Sequence, residues 1–309
     1  MKSQISQTGN RTLDRRAFLR LSGLLGLGTA AAVVSPGAAE AVRFDRDSFK
    51  VSREKWAMGT RVSIIAVDES RDRAQDAIGR SFDEIDRLSA LFNRFHDSTA
   101  VGLLNREGIL RDVPPELSLV VAAALDHHRL TGGMFDITVK PVIDLFRSFH
   151  DGGKPLPPPE RDFTRALSLV GASSVRLGGG VLRLERPGAG ITLDGIAKGF
   201  IVDRASEAMS NAGVHNHLVN AGGDIRTSGV GGSGRPWTVA VQDPAGRAHL
   251  STVHMGDGAL ATSGNYQVFF DKEKMFHHII DPRTGYSPFM TMGASVTAST
   301  AMEADALST

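Results

Sequence analysis

Residues 60–67, "TRVSIIAV", alternate apolar and polar side chains and carry β-branched residues, a pattern that predicts a strand. The period then changes. Ala74, Ala77, Ile78, Ile85, Leu88, Leu91, Phe92 and Phe95 recur on one helical face, which predicts a helix over residues 71–95. A second helix is expected from Pro115, burying Leu117, Val120, Val121, Ala124 and Leu125 and ending at "TGG", residues 131–133. The prolines of "DGGKPLPPPE", residues 151–160, forbid regular structure and mark a surface loop. "VRLGGGVLRLERPGAGITL" reads as short strands joined by glycine turns, and a third helix follows over residues 196–211, closed by Gly213. Beyond it the chain is mostly strand, in "HLVNAGGDIRTSG", "RPWTVAVQDP", "ALATSGNYQVFF", "HHIID" and "GASVTAS". Strand runs and helix runs are segregated, so the fold class is α+β. No fixed-period repeat appears and no linker clearly divides the chain after its first segment.

The two ends stand apart from this pattern. Near the start, "TLDRRAFLRL" pairs Arg15 with Arg16, an apolar run follows over residues 21–34, and "AEA" at 39–41 is a small-x-small cleavage site. The run is shorter than the ~20 residues that cross a bilayer as a stable helix. The segment resembles a twin-arginine export signal. That implies a signal peptide over 1–41, passage through the Tat export machinery, and a mature domain over 42–309 in the periplasm. A basic membrane anchor left in place is the alternative. At the other end, "TAMEADALST" predicts a helix from Met302 that puts Asp305 and Thr309, four residues apart, on one face. The alternative there is a frayed, solvated end, because the last helical carbonyls have no partners.

Composition narrows the chemistry. The 309 residues suffice for one large domain or two small ones, and the net charge of +1 gives no field that would draw nucleic acid. Cysteine is absent, which excludes disulfides, thiolate catalysis and zinc–thiolate sites. The 34 glycines cluster, which favours tight turns and close backbone approach to a ligand. In "ITLDGIAKGFIVDR", residues 191–204, a strand turns into a helix whose N-terminus favours anions, with Lys198 as a point charge. "VNAGGDI", residues 219–225, ends a strand in paired glycines before Asp224. "ATSGNY" reads as a small-residue turn with two hydroxyls, and "HHIIDPRTGYSP" sets His278 three residues before Asp281 and a Pro-x-x-Gly turn. His127, His128, His215 and His217 read as structural residues on helix or strand surfaces. The terminal carboxylate and hydroxyl offer hard oxygen ligands of the kind magnesium takes, with phosphate oxygens and a backbone carbonyl in its other positions.

"MGT" at 58–60, "GGMFDITVKPVIDLF" at 132–146, "GIAKGFIVD", "NAGGDI", "TSGNY", "HHIIDPRTG" and "SVTASTAMEADALST" occur together and in order. As a set they resemble the ApbE family of FAD:protein FMN transferases over nearly the whole mature chain. Exported members modify periplasmic or membrane flavoproteins, and the chain looks like the NosX-like group that serves nitrous oxide reduction. The resemblance implies an ApbE-like α+β fold in a single mature domain, FAD as donor, Mg2+ as metal, and a threonine or serine on an acceptor flavoprotein. Carried over residue by residue, it places Met58, Met134, Phe135, Asp136, Thr192 and Lys198 against FAD. Met134 stands where a small residue is usual, and Thr192 where many members carry Asp. An aromatic contact falls on Phe92 or Phe95, and Phe95 is taken. Gly195 through its carbonyl, Asp305 and Thr309 fall on the magnesium ligands, and His278 on the histidine that assists catalysis and contacts FAD. Asn265 stands where Asp is common. The family continues past "DALST", so a longer natural chain is expected, with further residues packed behind Asp305.

The reaction so implied is phosphoryl transfer with release of AMP. A metal-dependent FAD pyrophosphatase and a non-catalytic periplasmic flavin carrier are the rival readings. The export signal is testable by itself. Replacing Arg15 and Arg16 by Lys should retain the protein in the cytoplasm on cell fractionation, and periplasmic delivery of that variant would remove the twin-arginine reading.

Overall fold

The computed structural model describes residues 40–43, 48–242, 249–265, 268–272, 275–288 and 293–309, all within one compact unit, Gly37–Thr309. The arginine pair, the apolar run behind it and Tyr266 lie outside the described residues. In chain order the first half holds β1 (Glu40–Arg43), β2 (Phe49–Ala57), β3 (Thr60–Asp68), α1 (Arg71–Phe92), α2 (Ala100–Glu107), β4 (Ile109–Arg111) and α3 (Pro115–Leu130). The middle holds α4 (Lys140–Asp151), α5 (Glu160–Leu167), β5 (Val175–Gly178), β6 (Val181–Leu184) and α6 (Ala197–Asn211). The remainder is β7 (Asn216–Ala221), β8 (Asp224–Ser228), β9 (Trp237–Gln242), β10 (His249–Met255), β11 (Gly258–Gly264), β12 (Gly293–Ala298) and α7 (Ala301–Ser308). Strand β1 begins inside the expected cleavage sequence, so a cut after Ala41 would divide it.

A seven-stranded antiparallel sheet in the order β1-β2-β3-β7-β8-β11-β12 is the spine. Val62, Ile64 and Ala66 of β3 point to one face, where they join the main core with residues of α1, α6 and α7. Ile65 and Val67 point to the other face and pack with Leu218, Ile225 and Leu260 against Trp237, Val239 and Met255 of the β9–β10 hairpin. Strand β3 is thus central and covered on both sides, which is why its alternation dissolves into the continuous run "IIAV".

Helix α1 keeps the expected face, with Ala74, Ala77, Ile78, Phe82, Ile85, Leu88 and Phe92 buried. It stops three residues earlier than its apolar period suggested. Asn93 turns extended, and its side-chain oxygen accepts the Phe95 N–H at 2.9 Å, so the chain leaves the helix with Phe95 outside the core. Phe92 instead packs edge-on against Phe200 of α6 at 5.7 Å between ring centroids.

Two further expectations are corrected. "HHIID" is not a strand; only an isolated bridge, Phe269 to His277, forms there. The segment is held by side chains instead. Phe270, Phe276 and Ile280 pack against Phe146 of α4 and Phe163 of α5, with Phe146 and Phe276 centroids 5.1 Å apart. Each such buried ring contributes on the order of 1.5–3 kcal/mol, enough to anchor a segment without a ladder. "ATSGNY" is not a turn over its first four residues, which complete β11; the turn begins at Asn265.

His217 is also corrected, because it is fully buried rather than on a strand surface. Its Nδ1 lies 2.9 Å from the Val214 carbonyl, which can only accept, so Nδ1 carries the proton and Nε2 accepts from the Ser206 hydroxyl at 2.7 Å. Burial lowers its pKa from 6.5 to about 4. The unfolded chain therefore binds a proton between those values that the folded chain refuses. Stability from this residue is complete above pH 6.5 and is lost as pH falls toward 4, by on the order of 3 kcal/mol. Urea midpoints measured at pH 7 and pH 4.5 should differ less in His217→Gln than in the parent chain. An equal difference would mean that His217 does not carry this acid sensitivity.

Candidate active site

One end of the large sheet gathers the glycine-rich turns. Met58 and Gly59 form the two-residue turn between β2 and β3, and Gly222 and Gly223 the turn between β7 and β8. Met58 adopts φ +53, an uncommon conformation for a side-chain-bearing residue, and one that two-residue hairpins require. A Cβ on Gly222 would collide with the hydroxyl of Thr60, so the two turns meet only because this position is glycine. The C-terminal end of β11 and the start of β12 share this edge, since Gly264 pairs with Gly293.

Helices α6 and α7 close over this end by exchanging carboxylates. Asp203 of α6 accepts the N–H groups of Ala301 and Met302 at 2.8 and 2.9 Å, capping α7. Asp305 of α7 accepts the Gly199 N–H at 2.9 Å, capping α6, which has no side-chain cap of its own. Asp305 is 3% exposed. A Cβ on Gly199 would collide with the Ala301 carbonyl and stand 2.8 Å from Asp305 Cβ; one on Gly195 would stand 2.8 Å from Thr309 Cγ2.

The three residues assigned to magnesium, Gly195, Asp305 and Thr309, are therefore brought together. Burial first, and the nearby Asp224 second, push the Asp305 carboxyl well above the usual carboxylate range, against the pull of Lys198 and the Gly199 N–H. Burial raises Asp224 as well, opposed by Lys198. The Lys198 ammonium lies 3.2 Å from Asp224 Oδ2, forming an ion pair. Thr309 is not frayed: its N–H donates to Asp305 O at 3.2 Å, and its hydroxyl lies 3.1 Å from Ser263 Oγ, which also meets Ser308 Oγ at 2.9 Å. Among the described residues no group of three or more His, Cys, Asp or Glu is arranged to hold a metal. The donors assembled are one carboxylate, hydroxyls and backbone, and burial opposes charge on Asp305 unless a cation stands against it. That set fits a hard divalent cation that keeps water and phosphate oxygens as its other ligands.

The two adjacent histidines have separate fates. His277 is buried, its N–H donating to Ser287 Oγ at 2.8 Å and its Nε2 3.0 Å from the Pro288 carbonyl. His278 is half-buried; its Nδ1 faces the Val268 carbonyl at 3.5 Å, leaving Nε2 as the acceptor. Burial lowers the His278 pKa below 6.5, and the charges of Asp194 and Lys198 both reach it. It belongs to the same charged cluster.

The other assigned contacts are less uniform. Thr192 is buried, its N–H donating to the Ile137 carbonyl at 2.8 Å and its hydroxyl accepting from the Asp194 N–H at 3.2 Å. This ties the segment after Asp136 to the loop before α6. Asp136 faces inward: its carboxylate accepts from Thr138 N at 2.8 Å and Ala172 N at 3.0 Å and lies 3.4 Å from His128 Nδ1. Phe135 is buried, and of the three neighbours Met134 alone is exposed. Phe95 is 63% exposed beside the Arg94 guanidinium, which binds Asp194. Asp203, Asp194 and Arg94 escaped the sequence reading, and Ser263 entered it only as one of the two hydroxyls of "ATSGNY". Of the first three, only Asp203 left a trace, as a carboxylate one helical turn after Gly199.

The ApbE family model matches residues 58–309. The chain belongs to the ApbE family. Among ApbE relatives, the FAD:protein FMN transferase of Haemophilus influenzae is 32% identical over 208 residues, 64% of this chain and 60% of that protein. That of Klebsiella pneumoniae is 30% identical over 261 residues, 80% of this chain and 74% of that protein. The chain thus spans less than two thirds of the Haemophilus protein. The ApbE protein of Thermotoga maritima superposes with a TM-score of 0.76 at 28% identity, covering 84% of this chain and 85% of that one. The flavin transferase ApbE of Vibrio cholerae gives 0.70 at 25% identity, covering 88% and 86%. The mixed helix-and-sheet architecture is therefore the ApbE one.

The tight helix crossing yields a direct test. Gly199→Ala should destabilise by about 3 kcal/mol, the upper range for overpacking. Gly79→Ala, on a helical position with nothing within 4 Å of the added methyl, should stabilise by up to about 1 kcal/mol. Urea unfolding of both variants decides it, and a Gly199→Ala midpoint equal to that of Gly79→Ala would refute the crossing.

Proposed function

We propose that this chain transfers the FMN half of FAD to a threonine or serine hydroxyl of an acceptor flavoprotein, releasing AMP, in a magnesium-dependent reaction. The observation that carries this reading is the convergence of the buried Asp305 carboxyl, the Thr309 hydroxyl, Gly195 and the Lys198 ammonium at the N-terminal end of α6. Asp305, the Thr309 hydroxyl and the Gly195 carbonyl would hold the cation. When bound, it supplies charge stabilisation to a diphosphate and its leaving group.

The chain's own residues supply the rest. Lys198 presents its ammonium to the diphosphate from the first turn of α6, trading part of its attraction to Asp224. Neutral His278 accepts the proton of the attacking hydroxyl at Nε2, and its lowered pKa keeps it neutral at physiological pH. The hydroxyl oxygen bonds to the FMN phosphorus, the bond from that phosphorus to the bridging oxygen breaks, and the oxygen leaves with AMP. Positioning and electrostatics dominate such a reaction. Supported by the twin-arginine pattern, we place this activity in the periplasm, on an exported acceptor, in service of nitrous oxide reductase maturation.

Asp305→Asn separates the two duties of that carboxylate. The amide oxygen still accepts from Gly199 N–H, and removing a charge repelled by Asp224 costs the fold little, so thermal stability should hold. Metal-dependent formation of the FMN-modified acceptor, followed by intact-protein mass, should fall by at least about 100-fold. The parent rate should also rise with pH through a value below 6.5, and His278→Gln should abolish that limb. An active Asp305→Asn variant would sink the metal assignment. AMP and free FMN produced at the same rate without acceptor would point to a pyrophosphatase, and tight FAD binding without any turnover to a carrier.

A further inference from the structure

A single buried guanidinium joins parts of the molecule that the reaction uses separately. The Arg94 side chain is only 4% exposed, although the turn it opens, residues 95–98, is exposed. Its Nε lies 2.9 Å and its Nη2 2.8 Å from Asp194 Oδ2, and Nη1 lies 3.6 Å from Asp144 Oδ1 of α4. Its Cζ lies 4.4 Å from the centroid of the Phe95 ring, and the Arg147 Cζ lies 5.1 Å from the same ring. Asp194 directly precedes Gly195, and its charge is felt by both Asp305 and His278.

An exposed phenyl ring loses affinity for anything if it is free to turn, because ordering it on binding costs free energy. Here the ring is pre-set by a guanidinium plane whose own orientation is set by a carboxylate. Lysine lacks the planar fork to bind Asp194 through two nitrogens and lie over a ring at once. The backbone contributes too: Asp194 N–H is held by Thr192, and the Leu193 carbonyl accepts from Ile196 and Ala197 as α6 begins. Movement of Asp194 would therefore move Gly195.

We propose that Arg94 is a positioning residue whose guanidinium sets the Phe95 ring and the Asp194–Gly195 turn as one unit, coupling recognition of a flat flavin ring to the cation end of the site. This rests on the flavin-transfer reading. It makes two sites that look independent in sequence respond to one side chain.

The test is FAD binding by the full-length chain, followed by quenching of flavin fluorescence with and without magnesium. Arg94→Lys should weaken FAD binding about tenfold and raise the magnesium concentration required in the same direction. Phe95→Leu should weaken FAD binding and leave the magnesium requirement unchanged. In the double variant the loss should match that of Arg94→Lys within about twofold, because an unset ring contributes little. A purely structural Arg94 would lower the melting temperature while the effect of Phe95→Leu persisted in full, so multiplicative losses would overturn the proposal, as would unchanged affinity in Arg94→Lys. If Arg94→Lys fails to fold, Asp194→Asn breaks the same fork from its half-exposed side and should show the same coupling to Phe95→Leu. A parent chain that binds FAD with this coupling but never modifies an acceptor would overturn the transfer reading and leave Arg94 in its role.

Discussion

Two carboxylates exchanged between antiparallel helices hold the working end of this protein together. Each helix N-terminus leaves N–H groups without partners and carries a partial positive charge. Asp203 and Asp305 answer that need reciprocally, each from the flank of the other helix. The exchange demands that the axes come close, and Gly199 permits it, because no side-chain carbon fits between α6 and α7. Everything placed at the site end inherits this register. Lys198 is fixed one residue before Gly199, Gly195 faces Thr309, and the Thr309 hydroxyl reaches Ser263 on the sheet below.

The same exchange creates the site's electrostatic tension. A carboxylate buried to cap a helix is tolerable when the dipole and one N–H compensate it. Asp305 carries the added burden of Asp224, itself buried. Lys198 relieves part of this from a partly exposed position 3.2 Å from Asp224 Oδ2. A fold optimised for stability alone would replace one acid by an amide. Retaining both stores an unmet demand for positive charge at the spot where hydroxyl and backbone oxygens also converge.

Long periodic helices were legible in sequence because their apolar faces pack on a single core. Helices α1, α3 and α6 lie within a few residues of their expected bounds. Helices α2, α4 and α5 were missed: two have only eight residues, and α4 buries Val142, Ile143 and Phe146 against a separate aromatic cluster, so no long stripe announces it. The site was legible where chemistry sits in contiguous motifs, as for Gly195, Lys198 and the terminal "DALST". It was illegible where a function depends on residues a hundred positions apart. Arg94 and Asp194 look like ordinary surface charges in sequence, and only their meeting buries the guanidinium. Asp136 shows the converse, since a motif acid proved to be committed to Thr138, Ala172 and His128.

The division between the main core and the aromatic cluster on α4 and α5 bears on how the candidate site is held. Asp305 and Lys198 stand on helices whose buried faces belong to the main core, and Thr309 directly follows one of them. His278 stands on an irregular segment whose anchors, Phe270, Phe276 and Ile280, belong to the smaller cluster on α4 and α5. His278 and the charged groups thus depend on different side-chain clusters, and contacts between those clusters set their separation. Arg94 makes such a link by holding Asp194, beside the main core, and Asp144 of α4 in one guanidinium. On the proposed reaction, a ligand spanning this seam would draw the two clusters together and bring His278 toward the hydroxyl it would deprotonate.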